Sequence, residues 1–149
     1  MATERPNQNP YSAFNFLVEI DGAQIAAFQE VTGLDSENTP IEYREGADAM
    51  NTVRKLVGME KYPNLVLKRG ITGSTVLWDW RKEVRDGGTA FPPTRNVSIL
   101  LLDEKHASVF KWRLTNAWCC KLSGPSLNGK GNEIAIETME LAYERIDIE

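Results

Sequence analysis

A single histidine, His106, and two adjacent cysteines, Cys119 and Cys120, are all that 149 residues offer in imidazole and thiol ligands. That is poor material for a four-ligand zinc site, and neighbouring cysteines cannot frame a disulfide scaffold. The pair reads as reduced core or sheet residues. His106 falls in the polar turn Asp103–Ser108, and nothing resembles a nucleophile elbow for which it could act as base. Long apolar runs are lacking too. No stretch approaches about 18 apolar residues, so no helical span or membrane anchor is expected. The opening MATERPNQNPYSAFNF lacks the basic-then-apolar layout of an export signal. The expectation is synthesis in the cytoplasm without Sec-type export.

Other chemistry is present only in imitation. Gly124-Pro125-Ser126-Leu127-Asn128-Gly129-Lys130-Gly131 approaches a phosphate loop. Gly131 stands where a magnesium-binding Ser or Thr is required, and no helix start follows. Glu133, Glu137, Glu140 and Glu144 recur at helical spacing, as a solvated face does, with no partner residue to make them a paired-carboxylate site. No basic stripe with interleaved aromatics suggests nucleic acid. Catalytic, cofactor-binding and metal-ligating residues are therefore all expected to be none, and an enzyme is disfavoured.

What is there suits one mainly β domain over residues 1–149, with 42% apolar residues to build one core. Met1–Pro10 reads as a loose tail. Phe14–Ile20 alternates as a strand does; Asp21-Gly22 is a favoured two-residue hairpin turn, and Ala23–Glu30 returns. Thr72, Ser74 and Thr75 are N-cap candidates for an amphipathic helix at about 74–86. Leu77, Trp80 and Val84 lie on its buried stripe, and Gly87-Gly88 ends it. Trp78 falls off that stripe. Phe91-Pro92-Pro93 breaks the chain again. Val97–Leu102 and Val109–Thr115 form a hairpin, with another strand at Trp118–Leu122. Glu133–Ile146 is ambiguous between helix and strand. As a strand it changes phase between Ile134, Ile136 and Met139, Leu141, Tyr143, which calls for a bulge or bend near Thr138.

The stretch Ile41–Ile71 organises the rest. Two extended runs, Ile41–Glu45 and Val53–Met59, flank a small, polar tip, Gly46–Thr52, and a third run follows at Asn64–Arg69. At ~3.3 Å per residue each leg of this arm, at about 41–62, reaches about 20 Å. Its first leg alternates Ile41, Tyr43 and Glu45 with Glu42 and Arg44, leaving little apolar face. An isolated two-stranded ribbon is marginal in water, and its open edges invite another chain. A mobile surface hairpin remains the alternative. Ile41–Ile71 holds six basic residues (Arg44, Arg54, Lys55, Lys61, Lys68, Arg69) against four acidic (Glu42, Glu45, Asp48, Glu60), a surplus of two. The whole chain carries −4, so the remainder is −6. Such asymmetry suits a head-to-tail contact between copies.

These residues carry a resemblance over nearly the whole chain. Phe14–Ile20, Val31-Thr32-Gly33-Leu34, Tyr43-Arg44-Glu45-Gly46, Tyr62–Gly70 and the helix with Trp78 and Trp80 resemble the inner-tube proteins of contractile phage tails. They look closer still to the tubes of phage-derived extracellular injection systems, with an Hcp-like tube fold. The match continues through Asn116-Ala117-Trp118, Gly124-Pro125-Ser126-Leu127 and Glu133–Glu144. Cys119-Cys120 departs from it, where a proline or aliphatic residue is expected.

The resemblance implies a small antiparallel β-barrel or sandwich with one flanking α-helix and the extended hairpin arm. It implies a strand at Glu133–Glu144, against the helical spacing. It also implies a structural role: hexameric rings of this chain stacked into a rigid hollow tube inside a contractile sheath. Sheath shortening would drive that tube through a target envelope. The implied partners are further copies of itself, the sheath protein, and baseplate, spike and terminator proteins. Protein cargo or DNA in the lumen both stay open, as does the choice between a virion tail and a headless particle released outside the cell. The arm would join neighbouring subunits, with Arg44, Glu45, Asp48, Met50, Asn51, Arg54 and Lys55 at the ring–ring contacts. The rivals are a tube-initiator or baseplate ring, an Hcp-like secreted ring of type VI systems, a soluble ligand-binding β-barrel, and an enzyme without familiar motifs.

Overall fold

The computed structural model describes residues 9–25, 28–87 and 93–149. The expected loose tail lies outside that range apart from Asn9 and Pro10, as do Gly88 and the Phe91-Pro92 part of the chain break. The body strands are β1 (Phe16–Ile20), β2 (Ala23–Ile25), β3 (Phe28–Thr32), β8 (Leu65–Gly70), β9 (Arg95–Leu102), β10 (Ser108–Ser123), β11 (Ile136–Ala142) and β12 (Arg145–Ile148). The arm holds β4 (Glu37–Asn38), β5 (Ile41–Tyr43), β6 (Arg54–Leu56) and β7 (Glu60–Lys61), and the helix is α1 (Val76–Asp86).

The body strands run in the order β2-β1-β9-β10-β11-β8-β3, with β12 also paired to β10. Every pairing is antiparallel. The two segments expected as separate strands, Val109–Thr115 and Trp118–Leu122, are one strand of 16 residues. Its first half pairs with β9 and β12 and its second half with β11. The bend comes at Asn116, which has φ 52°, where the register against β9 shifts between Leu114 and Ala117. Asparagine tolerates that left-handed conformation better than most residues. The Asn116 side chain donates to Glu144 Oε2 at 2.9 Å, at the break between β11 and β12. The chain thus turns one corner on both strands at the same level. The result is a two-layer sandwich.

Val18, Ile20, Val97, Ile99 and Leu114 of one layer meet Leu65, Leu67, Cys119, Met139 and Leu141 of the other. Burying each of the larger side chains contributes about 1.5–3 kcal/mol. The helix adds Leu77 and Trp80 to this core, and the Trp80 indole N–H donates to the Pro93 carbonyl at 2.9 Å. Thr75 occupies the N-cap, but its hydroxyl donates to Asp79 Oδ2 and caps no backbone N–H. Gly87, in the left-handed conformation at φ 65°, ends the helix as expected. Trp78 stays exposed, with the Arg85 guanidinium 5.8 Å from its ring.

Two further expectations change. The return strand Ala23–Glu30 is two strands, β2 on β1 and β3 on β8, so the chain moves from one layer to the other. Asp21 and Gly22 do form the hairpin turn, both at positive φ. The strand assigned to Glu133–Ile146 is β11, but it has no bulge at Thr138. Its register against β8 runs unbroken from Ile136↔Gly70 to Leu141↔Leu65. Ile134 lies outside the strand and is exposed, so no change of phase is needed. The irregularity falls on the partner strand, between Cys119 and Lys121 of β10.

Candidate assembly surface

The arm begins earlier than its composition suggests. Glu37–Asn38, outside the arm of about 41–62 read from the sequence, pairs with Glu60–Lys61 as the root of the ribbon. Farther out Ile41, Glu42 and Tyr43 pair with Leu56, Lys55 and Arg54. Between the two ladders Pro40, which has no N–H to give, and Thr39 stand opposite Val57–Met59. The strands pass so closely there that a β-carbon on Gly58 would lie 2.0 Å from the Thr39 carbonyl oxygen. Asn38 Nδ2 donates to the Gly58 carbonyl at 3.1 Å and holds the crossing.

The root is fastened to the body by tyrosines. Tyr143, just beyond β11, donates its hydroxyl hydrogen to the Gly33 carbonyl at 3.2 Å. Its ring lies 5.6 Å from that of Tyr62 at the end of the returning leg. Burial, with Asp35 nearby, pushes the Tyr143 pKa up to about 12. Gly33 itself has φ 98°, and a β-carbon there would lie 2.4 Å from the Asn64 carbonyl oxygen.

At the tip, Asp48 works inward. Its Oδ2 accepts from the Glu45 backbone N–H at 3.0 Å and its Oδ1 from Arg54 Nη2 at 3.0 Å. Arg44 Nε donates to the Met50 carbonyl at 3.3 Å, and Glu45 Oε1 accepts from the Tyr43 hydroxyl at 3.1 Å. Of the residues expected at ring contacts, Arg44, Glu45, Asp48, Arg54 and the Met50 backbone therefore meet in one knot. Asn51 and Lys55 lie exposed outside those bonds, and the Met50 side chain is 71% exposed.

Sequence reading took the ribbon as polar, and that view misses its main feature. Val57 and Met59 are 84% and 83% exposed, and Ile41, Tyr43, Val53 and Leu56 are exposed beside them. The signal was in the second leg, Val53–Met59. The register puts Ile41, Tyr43 and Leu56 on one side of the ribbon and Glu42 and Lys55 on the other, so the exposed apolar side chains occupy more than one side. Large exposed apolar side chains so concentrated on a small domain mark an interaction site.

The imitations of chemistry resolve into structure. His106, at φ 63°, sits in the β9–β10 turn, where Asp103 Oδ1 accepts from the N–H groups of Lys105 and Ala107. The stretch 124–131 closes a turn through Asn128 and leads to a strand, with no helix after it. Glu137 pairs with Arg69 and Glu140 with Lys121, while Glu144 accepts from Asn116. The cysteines are free thiols. Burial pushes Cys119 up to about 11 and raises Cys120 as well, so both hold their protons at neutral pH.

Comparison with known proteins agrees with this geometry. The family model described as T4-like virus tail tube protein gp19 matches residues 12–147. A chain of the anti-feeding prophage cap (the AFP tube terminating cap) superimposes with a TM-score of 0.84 at 27% identity, over 95% of this chain and 92% of that one. A chain of the PVC sheath–tube complex in the extended state, an extracellular contractile injection system, gives 0.83 at 25% identity over 99% of each. Hcp1 from Flavobacterium johnsoniae shares the fold at a TM-score of 0.54 and 13% identity, over 91% of this chain and 94% of that one. A search of curated protein sequences returned no match. The chain belongs to the T4-like tail tube family and is a tail tube protein of the contractile injection type.

Proposed function

We propose that copies of this chain close into six-membered rings and that the rings stack into the rigid hollow inner tube of a contractile particle. The exposed apolar side chains of the arm, Ile41, Tyr43, Met50, Val53, Leu56, Val57 and Met59, carry this reading. Left in water, such a ribbon is marginal; against a neighbouring copy each apolar side chain contributes about 1.5–3 kcal/mol when fully covered. A contact between two different surfaces does not close on itself and propagates as a filament. Strand edges of the body, β2 and β3, would pair across subunits and so be removed from solvent. The work is mechanical, with no turnover: a surrounding sheath shortens and the tube advances through a target envelope. Sheath, baseplate and terminator proteins are the partners, and the lumen is the conduit for cargo. A similarity to a chain of a tube terminating cap supports a second reading, a terminal ring that ends the tube.

Electron microscopy of the purified protein separates these outcomes. Long hollow tubes support the tube subunit, isolated rings support the terminal ring, and dispersed monomers at high concentration contradict both. The charge reversal Arg54→Glu with Lys55→Glu tests the arm, and tubes of normal length from that variant would contradict the ring-contact assignment.

A further inference from the structure

A groove of about 260 Å³ opens between β3 and the β1–β9–β10 layer, lined by Phe16, Val31, Leu34, Leu101 and Trp112, with Gln29 and Glu30 beside it. Small-molecule sites run to ~300–1,000 Å³, so this one is sized for a protein side chain or two. Its floor is apolar, and β3 beside it is an edge strand. Among the described residues nothing of the arm lines it.

Resting on the tube reading above, we infer that this groove receives the arm tip of a second copy, with Met50 as the inserted side chain. Three observations point to that occupant. First, reach: Leu34 lines the groove and the ribbon starts at Glu37, so the groove lies at the arm's own root. Met50 is at the far end, about 30 Å away at ~3.3 Å per residue. A tip-to-groove contact therefore joins different molecules and displaces each copy by one arm length, which is the heterologous relation a filament repeats. Second, fit: Met50 is mostly exposed, while the Arg44–Met50 backbone bond fixes the turn that presents it. A flexible thioether fills irregular apolar gaps and favours aromatic neighbours such as Phe16 and Trp112. Third, charge: Lys55 and Arg54, the latter on Asp48, flank the tip, and Asp35 is exposed next to Leu34 at the groove, where Glu30 pairs with Lys68 at 3.5 Å. Complementary charge there sets register more than affinity.

The test joins the two surfaces covalently in the assembled protein. Met50→Cys and Gln29→Cys, combined in one chain, are treated with a short bis-maleimide. Cys119 is buried and Cys120 half-buried, and the unmodified protein treated in parallel gives the background they contribute. The expected result is a denaturation-resistant ladder extending beyond dimer, with neither single variant passing dimer. Leu34→Trp, which fills the groove at the edge of the core, is expected to reduce tube yield at least tenfold while circular dichroism still reports the folded β body. Tubes that form normally without a ladder, or that survive Leu34→Trp, overturn the groove assignment and leave the tube reading intact. Absence of rings and tubes from the unmodified protein overturns both.

Discussion

The ring of Tyr62 lies 5.6 Å from that of Tyr143, one at the end of the arm's returning leg and the other just past β11 of the body. This contact, with the Tyr143 hydroxyl on the Gly33 carbonyl, sets the direction in which the ribbon leaves the sandwich. Tyr143→Phe keeps the rings and loses the hydrogen bond. It is expected to cost about 1 kcal/mol, a fall of roughly 2–4 °C in Tm. Tyr143→Ala is expected to cost about 2 kcal/mol, less than the ~3–5 of a fully buried aromatic, and to speed hydrogen exchange along the arm.

Two glycines separate arm from body. Gly58→Ala forces the ribbon open at the Thr39 crossing. Assembly is expected to fail while the melting of the body changes by no more than about 0.5 kcal/mol, as for other surface changes. Gly33→Ala combines a left-handed φ with a backbone clash against Asn64. It is expected to destabilise the body itself by more than about 1 kcal/mol. Equal melting losses in the two variants would contradict this division.

Arg69 is the one buried charged residue among those described, 4% exposed, with Nε on Glu137 Oε1 and Nη2 donating to the Ser74 carbonyl at 3.0 Å. Arg69→Leu leaves Glu137 nearly enclosed without its cation and is expected to cost about 3–5 kcal/mol. Replacing both by leucine is expected to recover most of that loss, since an apolar pair needs no compensation. A double-mutant cycle in urea reads the coupling.

Alkaline pH tests the buried hydroxyl and thiol. Tyr143 and Cys119 bind their protons more tightly folded than at their ordinary values of 10.0 and 9.0. Their contribution to stability is therefore complete below those values and lost as pH rises through about 11 for Cys119 and about 12 for Tyr143. Melting temperature is expected to be insensitive to these groups at neutral pH and to fall across the alkaline window. Tyr143→Phe is expected to make the upper part of that fall shallower.

Much of the body was legible because its patterns are locally strong. The alternation of Phe16, Val18 and Ile20 on β1, the helix stripe of Leu77 and Trp80, and the Asp21-Gly22 turn each follow from side-chain period or backbone freedom. The continuity of β10 was not legible. Nothing local announces that Asn116 takes a positive φ, because the partner that rewards it, Glu144, is distant in sequence. Ile134 misled by belonging to the right composition and the wrong segment. On the arm, attention to the polar first leg hid Val57 and Met59, whose meaning lies in their having no cover among the described residues.

The central claim, that the arm's exposed apolar side chains are covered by neighbouring copies, is tested most directly by electron microscopy of the protein alongside Val57→Ser with Met59→Ser. The unmodified chain is expected to give hollow tubes of stacked six-membered rings, and the variant folded single molecules with an unchanged melting temperature. Tubes of equal length and abundance from both would contradict it.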